Sequence, residues 1–141
     1  MRRRRQGGCP AKSGLMACAL YAAAFAAPLR AESWHCRNTL EVQCHAGDCT
    51  AADDGITPLD VRFGTDGGFS VCAYTGCWDG AGTAVWNPPH LLISQAQVPW
   101  SDPSRRDGNR ADVVIAFDST DRIALVKAGS FALPMPCSPS S

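Results

Sequence analysis

Past residue 31 the chain is a succession of short runs rich in β-formers, each closed by Gly, Pro, Asn or Asp. The run LDVRF, 59–63, alternates with a period of two. Leu59, Val61 and Phe63 fall on one face and Asp60 and Arg62 on the other, the mark of a half-buried strand. SWHCRNTLEVQC, 33–44, carries β-formers into a small loop, and FSVCAY, 69–74, follows the turn composition GTDGG. TAVW and HLLIS flank the breaker Asn87-Pro88-Pro89. ADVVIAFD, the turn STD and RIALVKAGSFAL read as a C-terminal hairpin. Its nearly continuous apolar character predicts central strands. No window here sustains a helical period over several turns. The runs predict an all-β fold, a small antiparallel barrel or sandwich of about seven or eight short strands. Residues 32–137 form its single domain, and PCSPSS beyond the last strand reads as an untied tail over 138–141.

The first thirty residues have a different pattern. MRRRRQGGCPAKSG is basic with no acidic residue, LMACALYAAAFAA is an apolar run, and small residues follow. That order is the signature of a signal peptide, with cleavage expected after Ala26 or Ala31. The apolar run is shorter than the ~20 residues a bilayer span needs, so no stable membrane anchor is expected. Removing the leader changes the charge: from Glu32 onward the chain carries 7 basic and 13 acidic residues, a net −6. Such a product is poorly matched to nucleic acid or anionic lipid, and a charged partner is expected to be cationic. Negative charge also keeps a small exported domain soluble and monomeric.

Cys36, Cys44, Cys49, Cys72, Cys77 and Cys137 remain after the leader. An even count in a short exported chain predicts a disulfide framework. The two units QCHAGDCT and VCAYTGCW space their cysteines more widely than most zinc knuckles, and an oxidising compartment disfavours a thiolate metal site. Residues facing each other below the small loops HAGD and AYTG lie within disulfide reach, and each loop has a Gly able to take a positive φ. Cys72–Cys77 is the pair expected below the AYTG loop. Cys44–Cys49 with Cys36–Cys137 completes the simplest set, while the N-terminal cluster could instead pair Cys36–Cys49 and Cys44–Cys137.

One connection, VPWSDPSRRDGNRA at 98–111, lacks a β pattern and mixes Arg105, Arg106 and Arg110 with Asp102 and Asp107, and Asp112 follows it. Asp107-Gly108 is no calcium loop, because Arg105 and Pro103 stand where oxygen ligands belong. Trp34, Trp78 and Trp86 are expected to pack in or cap the core. Trp100 opens the charged loop beside Pro99, so the candidate binding residues are Trp100, Asp102, Arg105 and Arg106.

No catalytic motif, phosphate loop or metal-ligand spacing involves His35, His45 or His90. Catalytic and metal residues are therefore none, and no cofactor is expected. The aromatic-x-Cys start WHC, the cluster Cys36/Cys44/Cys49, the unit VCAYTGCW and a closing strand pair ending at Cys137 resemble small exported proteins of unknown function from Gram-negative bacteria. In gross form the layout is also similar to the periplasmic inhibitors of C-type lysozyme, disulfide-tied β-barrels that block a cationic enzyme. None of that family's inhibitory-loop motif occurs here. The expectation is a periplasmic or secreted, non-enzymatic binding module that contacts a protein or envelope component, with an inhibitor of a cationic hydrolase as its sharper form. The alternatives are a structural or stress-related envelope protein and a small hydrolase.

Overall fold

The computed structural model describes residues 31–102 and 109–140. The expected leader, except Ala31, and Arg105 and Arg106 lie outside the described residues. Among the described residues eleven strands follow one another: β1 (Ser33–Arg37), β2 (Glu41–His45), β3 (Asp48–Ala52), β4 (Leu59–Gly64), β5 (Gly68–Ala73), β6 (Gly76–Ala81), β7 (Thr83–Asn87), β8 (His90–Pro99), β9 (Arg110–Asp118), β10 (Ile123–Ala128) and β11 (Phe131–Pro139). They hydrogen-bond in the order β6-β5-β4-β1-β11-β10-β9-β8-β7, with the β2–β3 hairpin attached to β11. The sheet is antiparallel and nearly closed. Its ends meet where β6 approaches the end of β8. There Trp78 bridges Trp100, and the Ser101 N–H donates to the Cys77 carbonyl at 2.8 Å.

The all-β class matches the sequence pattern, and the strand count is higher for local reasons. SWHCRNTLEVQC breaks into β1 and β2 because the Asn38 amide turns the chain. Its Oδ1 accepts from Leu59 N–H and its Nδ2 donates to the Leu40 and Thr57 carbonyls. The turn at Gly129, φ +59°, divides β10 from β11. The connection read as patternless from residue 98 is shorter than expected. Val98 and Pro99 pair with Ala111 and Arg110 after a register shift between Gln95 and Val98. In that bulge Gln97 takes φ +56° and its N–H donates to Asp112 Oδ1. A bulge breaks the two-residue period, which is why alternation fails there.

Three disulfides among the described residues join Cys36 to Cys137, Cys44 to Cys49 and Cys72 to Cys77, with Cα atoms 4.0–4.1 Å apart. Each links residues directly opposite on neighbouring antiparallel strands. Both small hairpins are tighter than the sequence suggests: His45 pairs Asp48 and Ala73 pairs Gly76, leaving two-residue turns. Gly47 does adopt a positive φ, but in the second hairpin Tyr74 does so and Gly76 does not. Beyond Cys137, where the composition suggests a free tail, Ser138 and Pro139 stay in register with His35 and Trp34. The Ser140 N–H donates to the Ser33 carbonyl. Strand β1 supplies an edge that keeps these residues paired.

Alternate side chains fill the barrel. Val61, Val71, Ile93, Val113, Ile115 and Met135 are fully buried, each worth roughly 1.5–3 kcal/mol of apolar burial. Phe117 of β9 reaches across to Trp34 and Phe63, with ring centroids 4.6 and 5.1 Å away. Trp78 meets Trp100 edge-on at 4.5 Å in a second aromatic contact. Among the described residues, the side chains buried in the core are apolar or cysteine.

Candidate functional site

The outer surface of the barrel has two chemically different sides, and the strand register shows both. Across β11, β1, β4, β5 and β6 one lateral row reads Ser138, His35, Arg62, Ser70, Asp79. The row beside it holds Arg37, Asp60, Cys72 and Cys77. This side is wired by charge. His35 Nε2 lies 2.8 Å from Asp60 Oδ2, Arg37 Nε donates to the same oxygen, and Arg62 Nε sits 3.4 Å from Oδ1. Burial pushes the Asp60 carboxyl up, but the bond and charge of His35 together with Arg37 and Arg62 hold it below the ordinary 3.8.

The opposite side is apolar. Across β7, β8, β9, β10 and β11 the corresponding row reads Val85, Leu92, Ala116, Leu125, Pro134. Val85 is 57% exposed, Leu92 44% and Leu125 58%. The next row, Asn87, His90, Asp118, Ile123 and Pro136, mixes polar and apolar groups. Between them lies a cleft of about 510 Å³ bordered by Val85, Leu92, Ile123 and Leu125. Ala116 lies between these walls on β9 and has the smallest side chain in the row. A smaller depression of about 290 Å³ beside Leu125 continues over Val114, Ala132 and Pro134.

Carboxylates close one end of the larger cleft. Asp118 faces His90 across β8 and β9, with His90 Nε2 3.3 Å from Asp118 Oδ2. The backbone N–H groups of Asp121 and Thr120 donate to Asp118 Oδ1 and hold its carboxyl below the usual range. Asp121 borders the same end. An apolar floor with a fixed negative end can bind an apolar group that carries a positive charge.

Of the sequence candidates, Trp100 and Asp102 come together at the other end of the barrel. Trp100 is half-buried against Trp78, and Thr75 Oγ1 lies 3.4 Å from Asp102 Oδ2. With Thr57, Tyr74 and Phe131 they line a depression of about 300 Å³. Trp100 serves first as a plug of the core at this end. Trp34 and Trp78 are buried as expected, whereas Trp86 is 38% exposed on β7.

Among the described residues, no group of three or more His, Cys, Asp or Glu side chains is placed to hold a metal. No helix there is long and apolar enough to cross a membrane. The three disulfides fit a non-reducing compartment. No protein-family model matches the chain. Neither a curated protein nor a solved structure matches it.

The apolar row escaped the sequence reading, yet its signal was present. HLLIS, ADVVIAFD and RIALV do not alternate. In a single-layer barrel only one face of a strand is interior, so a strand apolar on both faces must expose the second. Continuous apolar character was the clue to an exposed patch.

Proposed function

We propose that this chain is an exported, non-enzymatic binding module of the periplasm or extracellular space. Its apolar outer side docks a protein or envelope component. The observation that carries the reading is the row Val85–Leu92–Ala116–Leu125–Pro134 on the surface of strands whose other faces form the core. Monomeric proteins rarely leave a contiguous apolar patch of several strands uncovered. The contrast with the charged side supports a dedicated surface, since both sides belong to one small barrel. The acidic mature chain supports a cationic partner, and an inhibitor of a cationic hydrolase is the sharper form of the same reading.

The test compares wild type with the double variant Leu92→Glu/Leu125→Glu, first matched for fold by circular dichroism. Crosslinked to envelope extracts, wild type is expected to retain a partner that the double variant loses. Equal retention by both proteins sinks this face as the docking surface. The inhibitor form is checked directly with C-type lysozyme: unchanged lysis in the presence of excess protein excludes it.

A further inference from the structure

The cleft over β9 narrows what the docking side can accept. We infer that it is a binding site for an extended peptide segment carrying an aliphatic or aromatic residue and, two positions away, a lysine or arginine. The inference rests on the reading of this side as the docking surface and specifies its ligand.

Two observations set the chemistry. First, the walls are tall and the floor is low: Leu92 and Val85 stand on one side and Leu125 and Ile123 on the other, with Ala116 between them. That shape receives one bulky apolar side chain. Second, the cleft ends in like charge. Asp118 is two residues from Ala116 on the same strand, and Asp121 stands beside it. Opposite charge from this chain is sparse at that end. His90 is the basic group facing Asp118 there, and Arg122, the next residue after Asp121, does not line the cleft. Lys127 lies at the far end, four residues from Ile123 on β10.

Spacing follows from strand geometry. Outward residues i and i+2 on a strand stand about 6.6–6.8 Å apart. An extended ligand running along β9 repeats that interval, so an apolar residue over Ala116 puts its i+2 neighbour at the carboxylates. A basic residue one position away points from the surface instead. The site therefore selects apolar-x-basic and rejects apolar-basic.

Synthetic nine-residue peptides test this, built on threonine with a single Leu-x-Lys, Leu-Lys or Leu-x-Glu unit. They are titrated into the ¹⁵N-labelled, disulfide-bonded protein. The Leu-x-Lys peptide is expected to shift the amides of Ala116, Phe117 and Asp118. It should bind at least about tenfold more tightly than either other peptide, and lose that margin at high salt. Asp121→Asn should cut the same margin, and Leu125→Glu should abolish the shifts with the fold unchanged. Equal binding of the lysine and glutamate peptides overturns the charge assignment. Shifts confined to β7, the last strand in the sheet order, mean that the peptide is taken there and not over β9, which also overturns the inference. Absence of any shift overturns the β9 site, even where Leu92→Glu/Leu125→Glu still loses a captured partner. In that last case the docking side itself stands.

Discussion

The indole of Trp100 occupies the space where Gly76 would carry a side chain. A Cβ built on Gly76 would lie 2.5 Å from Trp100 Cε2 and 2.6 Å from Nε1. Gly76 pairs with Ala73 next to the Cys72–Cys77 bridge, and Trp100 packs on Trp78. Thus the glycine of VCAYTGCW is there to admit a ring from the end of β8. It serves no turn conformation.

Gly76→Ala should therefore displace Trp100. Overpacking of this kind costs about 1–3 kcal/mol. The measurement is urea unfolding together with tryptophan emission, which should shift red as the indole meets water. Unchanged stability and emission would show that the ring moves aside without loss. Gly55→Ala is the comparison: it meets no neighbour within 4 Å, so its cost comes from φ +64° alone.

The three disulfides should contribute unequally. Cys36–Cys137 closes a sequence separation of 101 residues, and Cys44–Cys49 and Cys72–Cys77 close separations of 5. In the chain-entropy model the long bridge is worth about 4–5 kcal/mol and a short one about 2. Cys36 is also buried, so its removal leaves a void in the core. Paired replacement by alanine should lower the unfolding midpoint most for Cys36/Cys137 and least for the exposed hairpin Cys44/Cys49. Equal losses would mean that the unfolded chain is not constrained as that model assumes.

How much of this was legible beforehand depends on range. LDVRF announced its strand through alternation, and Cys72–Cys77 through its local spacing, because both depend on neighbours in sequence. The expected Cys36–Cys137 bridge brings β1 and β11 together, but the continued pairing Trp34↔Pro139 beyond it could not be read from the tail's composition. Trp100 looked like a loop residue because the bulge at Gln97 hides the end of β8. The apolar side combines residues of five strands. Each strand showed its apolar excess, but only the register assembles the excess into one row.

Acid should weaken the charged side through Asp60. Its folded pKa lies below its ordinary value, so its contribution is fully present above about pH 4 and is lost as the pH falls through the folded value. Asp60→Asn removes the centre of the cluster with His35, Arg37 and Arg62. At neutral pH the variant should be less stable by under about 1 kcal/mol, as befits a partly exposed ion cluster. Lowering the pH below 4 should close the gap between the two proteins. A gap that persists at pH 2 would assign the loss to shape and not to charge.

Core and apolar outer side can be separated on a single strand pair. Ile115 of β9 pairs Val126 of β10, and both point inward, while Ala116 pairs Leu125 and both face out. Ile115→Ala removes a side chain with no exposed surface and should cost about 2–5 kcal/mol, by lost transfer energy and by the cavity left behind. Leu125→Ser removes a side chain that is 58% exposed and should change stability by no more than about 0.5 kcal/mol. Surface hydrophobicity should separate them in the opposite sense: Leu125→Ser should reduce binding of an apolar dye to the native protein, and Ile115→Ala should not. If Leu125→Ser instead destabilises the fold by several kcal/mol, Leu125 belongs to the core, and the apolar row is a packing feature with no surface to offer a partner.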